Sequence, residues 1–485
     1  MARQRRETNT KEKVQMELFM DQLVKYVDII SNALFNTVLL FLLCGTGIYY
    51  TIRLRGVQFK EFGSALKRAF GDLGKKNRAG ADGMSSFQAL MTAMAGQIGT
   101  GNLAGAATAI VAGGPGAIFW VVVSCILGMA TIYVEATLAQ RYKSVGPDGA
   151  VIGGPVYYIL AAFKGRLGKI LAGCFAVFII LALGLAGNMV QSNSIGDAFK
   201  TAFGISPVIV GVVVALIALF AFMGGVTRIA AITEKLVPIM AVTYILGAII
   251  VVAVNFQQVP QAFYWILVGA FAPQAVTGAA LGLTVQQAMR FGIARGLFSN
   301  EAGMGATPHS HAIAKVNHPC QQGGIAIVGV VTTCVIMVLT ALVILTSGVY
   351  DPQVGSEITG IALTQSAFQA VFGGLGSKFI AICLFFFAFS TIIGWFFFAQ
   401  QNVKYLLGMK AVKPFCFIGA AAVVLGAALK VDLVWSLADM FNGLMVIPNL
   451  LAMLALSGVV VRLNQEYQAS KTVTRLPDPP ANQVK

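Results

Sequence analysis

The run Gly96-Gln97-Ile98-Gly99-Thr100-Gly101-Asn102 decides how this chain is read, because it interrupts an apolar stretch, 85–111, long enough to cross a membrane. About 20 apolar residues span a hydrocarbon core of about 30 Å as a helix. The glycines weaken the helix and admit positive φ, and Gln97, Thr100 and Asn102 add polar side chains at mid-span. A break at that depth is tolerated only where protein or a wet cavity satisfies the freed backbone groups. Half-helix N-termini then offer N–H groups and a partial positive charge to a carboxylate. Unwound carbonyls and half-helix C-termini suit Na⁺ and an ammonium group, so a zwitterion can satisfy both ends. The run is no nucleotide loop, since no strand precedes it and no P-loop lysine follows.

Working outward, similar apolar stretches recur along all 485 residues, of which 57% are hydrophobic and 11% charged, with a mean hydropathy of +0.79. A soluble domain carries about 25% charged residues. The reading is an all-α polytopic membrane protein with eleven transmembrane helices, at about 34–54, 85–111, 117–140, 170–198, 207–225, 236–255, 263–288, 323–347, 379–403, 415–429 and 433–461. The lipid bilayer is therefore its partner. The net charge of +15 sets orientation and is not a nucleic-acid footprint, because 25 of the 34 Lys and Arg lie in alternate loops and in the tail from 462. Those segments are placed in the cytoplasm, which puts the N-terminus outside and the C-terminus inside. Arg3, Arg5, Arg6, Lys11, Lys13 and Lys25 oppose this, and initiation at Met16 would remove most of them. The seven cysteines have no CxxC or metal-ligand spacing and read as packing residues.

Residues 1–33 form a tail, 34–54 an extra transmembrane helix, 85–255 and 263–461 two groups of five helices, and 462–485 a cytoplasmic tail. Five is odd, so the second group enters the membrane inverted, a common transporter architecture. Loops 141–169 and 348–378 match in position, each with a short apolar stretch, Gly154–Phe163 and Ile358–Phe372. The first helix of the second group is expected to break at Phe271-Ala272-Pro273-Gln274-Ala275-Val276-Thr277-Gly278, where Pro273 removes a backbone donor. One glycine-rich stretch alone is commonly a packing face; two breaks at corresponding positions favour a binding site. Neither break holds an acidic or basic residue, which favours a substrate with a neutral side chain.

Other polar residues lie in apolar spans. Asn188 and Gln191 share a helical face and either bind substrate or join helices. Ser390 and Thr391 sit in the aromatic run Phe385–Phe398, and taken alone are best read as bonding their own helix. Glu135 is equally a functional acid or a tether, and Asp439 and Asn442 gate or packing residues. His309, His311 and His318 lack partners at metal-ligand spacing. No hydrolase signature appears, so the chain is not expected to be an enzyme or to use a cofactor.

The motifs carry a resemblance. Gly96–Asn102, Gly113-Gly114-Pro115-Gly116, Glu135-Ala136-Thr137-Leu138-Ala139-Gln140, Gly153-Gly154-Pro155-Val156-Tyr157-Tyr158 and Gly187-Asn188-Met189-Val190-Gln191 are five of them. The most specific is Phe298-Ser299-Asn300-Glu301-Ala302-Gly303-Met304-Gly305, followed by Pro308-His309-Ser310-His311-Ala312. Over about 18–465 the chain resembles the alanine or glycine:cation symporter family, of the amino acid-polyamine-cation superfamily. That resemblance implies symport of a small neutral amino acid, alanine or glycine, with Na⁺ or H⁺ across the cell inner membrane. Glutamine, serine or another neutral solute is the alternative cargo, and a non-transporting amino-acid sensor the alternative class. It implies substrate contacts at Gln97, Gly99, Thr100, Gly101, Asn102, Asn188, Gln191, Phe271, Thr277 and Gly278. Trp395 looks like the family's aromatic wall beside the substrate. It further implies a Na⁺ site between Gly96, Ile98, Ser390 and Thr391. The Phe298–Gly305 motif falls in the expected loop 289–322, away from the expected site.

Overall fold

The computed structural model describes residues 33–71, 83–146, 149–278, 282–429 and 431–473, and positions 22, 26, 27 and 29 before them. The basic residues of the N-terminal tail, the start at Met16, the basic positions 75, 76 and 78, and the tail past 473 lie outside the described residues.

After a π-helical turn, Leu34–Leu39, come α1 (Leu40–Arg53) and the amphipathic α2 (Val57–Gly71). The first group follows: α3 (Ser86–Gln97), α4 (Thr100–Gly113), α5 (Ala117–Arg141), the short α6 (Pro155–Ala162), α7 (Gly165–Ile179), α8 (Asn188–Phe203), α9 (Pro207–Met223) and α10 (Gly225–Val254). A π-helical segment, Ile180–Gly187, joins α7 to α8 without a break. Two short helices, α11 (Val259–Gly269) and α12 (Pro273–Thr277), lead to the second group. It comprises α13 (Val285–Asn300), α14 (Pro308–Ile313), α15 (Pro319–Thr346), the short α16 (Gly360–Phe372), α17 (Gly374–Leu407), α18 (Val412–Ala428) and α19 (Val431–Ala455). A last helix, α20 (Ser457–Val473), continues from α19.

The order repeats: a broken helix, a long helix, a short helix in the following loop, a long helix, then two more. The local chemistry repeats with it. Ser85 caps α3 and exchanges bonds with Gln88, and Thr284 caps α13 and exchanges them with Gln287. Each is a capping box, which satisfies two orphan backbone donors at a helix start. Among the described residues seven helical stretches are long and apolar enough to cross a membrane. Large apolar side chains face outward, among them Phe41, Leu216, Phe220, Ile239 and Leu246, as lipid contact requires.

Two expectations are corrected. The span expected at 263–288 is not one crossing: α11 and α12 are separate short helices, and residues 282–284, just before α13, are not helical. The second group, expected from 263, accordingly begins its matching order at Val285. Residues 263–277 are apolar because Phe263, Tyr264, Leu267 and Phe271 are exposed on the surface of the bundle. The chain of α13 contains Arg290 and Arg295 and resembles a loop, yet α13 packs along α4 and α5 in the interior. A helix sheltered from lipid on most sides needs no apolar face.

Small residues set the interhelical distances, as expected where burial from water no longer drives association. A methyl on Gly323 of α15 would come 2.3 Å from Thr137 Oγ1 and 2.7 Å from the Tyr133 carbonyl of α5. Gly292 and Gly296 bring α13 equally close to α5. At one end α20 clamps α2: Lys471 Nζ pairs with Glu61 Oε2 at 2.6 Å, and Gln468 Nε2 donates to Glu61 Oε1 at 2.7 Å.

Gly323→Ala is expected to cost about 1–3 kcal/mol. The neighbouring Gly324→Ala, whose methyl would meet nothing nearer than 3.7 Å, should be neutral to within about 0.5 kcal/mol. Melting temperatures in detergent compare the two; equal values would contradict the α5–α15 contact.

Candidate functional site

The first broken helix stops where its glycines begin. Ile98 closes α3 by donating its N–H to the Met94 carbonyl at 2.7 Å. Gly99 is extended, with φ −123° and ψ −154°, and α4 restarts at Thr100. Asn102 Nδ2 reaches back 2.8 Å to the Gln97 carbonyl, which the interruption leaves without a helical partner. The glycine is needed for space: a methyl on Gly99 would lie 2.5 Å from Thr391 Oγ1 and 2.9 Å from Gln191 Oε1.

The second break is the Phe298–Gly305 motif. Asn300 ends α13, and Glu301 adopts the left-handed conformation, φ +58°. That conformation is uncommon for a residue with a Cβ. A turn through Gly303 and Gly305 then leads to α14. Glu135 of α5 receives the Gly303 N–H at 3.1 Å on one oxygen and the Gly305 N–H at 3.0 Å on the other. Asn449 of α19 adds a third donor to it at 2.6 Å. Glu135 is therefore a tether for this loop. The two breaks touch. Gln97 Nε2 donates to the Asn300 carbonyl at 2.7 Å, and Ser299 Oγ to Asn102 Oδ1 at 2.7 Å.

Two further helices complete the arrangement. From α8, Gln191 Oε1 accepts the Thr100 N–H at 3.1 Å, at the N-terminus of the half-helix α4. From α17, Thr391 Oγ1 lies 2.8 Å from the Ala95 carbonyl and 3.4 Å from that of Gly96, and Ser390 Oγ lies 3.4 Å from the Ala95 carbonyl. Both hydroxyls also bond the Phe387 carbonyl of their own helix, at 3.1 and 2.8 Å. One turn on, Trp395 Nε1 donates to Glu301 Oε1. Its ring packs on Gly187, where a methyl would come within 2.6 Å, and meets Phe298 edge-on.

Several buried atoms here have no hydrogen-bond partner: Gln97 Oε1, Thr100 Oγ1, Gln191 Nε2 and Glu301 Oε2; Asn188 Oδ1 of α8 has none either. Such atoms are costly unless something else satisfies them. The donors toward a cation are all oxygens (Ser390, Thr391 and the freed carbonyls of Ala95 and Gly96), which suits a hard ion. A cavity of about 690 Å³ approaches from the α4 side, lined by Thr108, Asp197, Lys200, Arg295 and Trp435 among others. Phe298 and Trp435, 5.1 Å apart, lie between it and Trp395.

The structure thus gathers Gly96, Gln97, Gly99, Thr100, Gly101, Asn102, Gln191, Ser390, Thr391 and Trp395 around the first break, while Asn188, buried one turn before Gln191, bonds the Gly184 carbonyl of its own helix at 3.3 Å. Ile98 is buried there, closing α3, and among the carbonyls of the first break the nearest to both hydroxyls is that of Ala95. Phe271, Thr277 and Gly278 are not brought in. Phe271 is exposed and packs on Phe119 and Trp120 at the start of α5, and Thr277 lies beside Gly114. Pro273 starts the short helix α12 and breaks no crossing helix, which is why that expectation fails. Sequence reasoning missed Glu301, Asn300, Ser299 and Ala95. An acid between Asn300 and two glycines, with Pro308 following and the Thr284–Gln287 capping box one helix earlier, was the available signal. The expectation of no charged residue in either break is also corrected, by Glu301.

The fold is similar to that of MhsT in complex with L-phenylalanine, with a TM-score of 0.56, 14% identity, and coverage of 81% of this chain and all of that one. It is likewise similar to the manganese transporter of Eremococcus coleocola, with a TM-score of 0.53, 15% identity, and 82% and 88% of the two chains covered. The sodium/alanine symporter AgcS of Methanococcus maripaludis is 40% identical over 90% of this chain and 96% of its own. The probable sodium/glutamine symporter GlnT of Bacillus subtilis is 40% identical over 94% of each. The model of the sodium:alanine symporter family matches residues 20–479. A multi-pass membrane protein by its apolar helices, this chain belongs to the sodium:alanine symporter family.

Proposed function

We propose that the protein is a Na⁺-coupled symporter of a small neutral amino acid, alanine or glycine, bound at the break between α3 and α4. The observation that carries this reading is the meeting of two broken helices beside buried polar atoms without partners, Gln97 Oε1, Thr100 Oγ1, Gln191 Nε2 and Glu301 Oε2. The substrate carboxylate takes the place of Gln191 Oε1 at the N-terminus of α4, where the Thr100 N–H and the helix dipole favour an anion. Trp395 walls the site. Its close packing on Gly187 and Gly96 favours a small side chain, alanine ahead of glutamine.

Na⁺ sits between the end of α3 and α17, on the Ser390 and Thr391 hydroxyls with the Ala95 and Gly96 carbonyls and that of Ile98. It neutralises the negative end of the half-helix α3 and holds the break in its bound form. Each ligand thereby raises the other's affinity by a reciprocal factor. The chain crosses the membrane eleven times, with α13 and α14 together as the seventh crossing, the N-terminus outside and the C-terminus in the cytoplasm. The 690 Å³ cavity then opens outward, and alternation between faces moves the broken helices against α17 and α8.

In proteoliposomes, an inward Na⁺ gradient should drive uptake of labelled L-alanine several-fold above equal Na⁺ on both sides; indifference to Na⁺ would sink the coupling. Thr391→Ala should raise the Na⁺ concentration for half-maximal uptake about tenfold, as loss of one oxygen ligand to a charge predicts. Gly99→Val should abolish uptake while the protein still inserts and melts as a folded species. Normal transport by that variant would dismiss the site.

A further inference from the structure

Glu301 has no partner equal to its charge. It is fully buried, and its left-handed backbone points the side chain across the second break to the first. One carboxylate oxygen accepts the Trp395 indole N–H and lies 3.0 Å from where a methyl on Gly96 would sit. The other has no hydrogen-bond partner. Among the described residues no ion pair reaches it: Arg295, on the preceding helix α13, is engaged by Asp439 of α19. An ionised carboxylate buried in a membrane is expensive without a cation beside it. The site's own chemistry supplies two cations. Na⁺ has an all-oxygen set one helical turn earlier on α17, at Ser390 and Thr391. The other is the ammonium group of the amino acid.

The geometry favours the second. Glu301 reaches the last turn of α3, whose C-terminal carbonyls already form the negative pole of the break, while the carboxylate-binding N–H of Thr100 lies just beyond Gly99. A zwitterion laid along Gly96–Thr100 has its positive end toward Glu301 and its negative end toward α4. The indole of Trp395 fixes the carboxylate oxygen that faces it and leaves the other for the ligand.

We propose that Glu301 is the counter-ion of the substrate's ammonium group, so that the carrier selects α-amino acids over the matching hydroxy acids. This rests on the transport reading above. The test titrates purified protein, in saturating Na⁺, with L-alanine and with L-lactate, which replaces the ammonium by a hydroxyl. In Glu301→Gln, which keeps size and shape, the ratio of alanine to lactate affinity should fall at least about tenfold. Na⁺ alone should still raise the melting temperature as in the wild type. Should that variant not fold, Glu301→Asp withdraws the carboxylate by one methylene and should show a smaller fall in the same ratio. A ratio unchanged in the variant that folds overturns the assignment, and so does a lost Na⁺ shift with the ratio kept, which would move Glu301 to the cation site. A wild type that binds no alanine in Na⁺ overturns the transport reading and the assignment with it. A wild type that binds, beside a variant with an unaltered ratio, overturns the assignment alone.

Discussion

A helix that stops halfway across a hydrocarbon layer strands backbone donors and acceptors where water cannot reach them, and the rest of this structure is organised around meeting that need. Part of the answer is local, as Asn102 turns back to the Gln97 carbonyl. Part is mutual, because the two breaks lie against each other and Gln97 spends its amide on the Asn300 carbonyl. The rest comes from neighbouring helices. Glu135 accepts two N–H groups of the second break, and Asn449, whose own oxygen is held by Tyr158, steadies Glu135. This accounts for an acid in the last two turns of α5 and an amide in the last two turns of α19, neither of which has a place in an apolar helix otherwise.

The satisfaction is incomplete at the first break. Gln97 Oε1, Thr100 Oγ1 and Gln191 Nε2 are left without partners there, and in the proposed reading the bound ligands supply what is missing. Glycine at positions 96, 99 and 187 brings Trp395, Thr391 and Gln191 closer than any side chain would allow. Because Thr391 and Trp395 are one turn apart on α17, the proposed cation site and the proposed amino-acid site share one rigid helix. Coupling between them needs no long pathway.

Much of this was legible from residue order. Membrane spans follow from apolar length, and the first break from glycines and amides inside such a span. The corresponding short helices α6 and α16 follow from matching loops. The second break was not. Pro273 and Gly278 imitate one, in a stretch whose apolar character serves the surface of the bundle. The true break lies beyond α13, whose two arginines make it look like a loop. Hydropathy reports contact with lipid, and a helix enclosed by α4, α5 and its own repeat partner has little of that contact.

The sequence by itself determined that the chain crosses a membrane as helices, that one of them is broken at Gly96–Asn102, and which motifs tie it to its family. Those properties depend on composition and on neighbours along the chain. Only the tertiary structure decided which segment supplies the second break, that the Ala95 carbonyl faces Ser390 and Thr391, and that Glu301 lies against Trp395 and Gly96. Those depend on which helices are shielded from lipid and which atoms meet across about 200 residues, and local pattern carries no record of either.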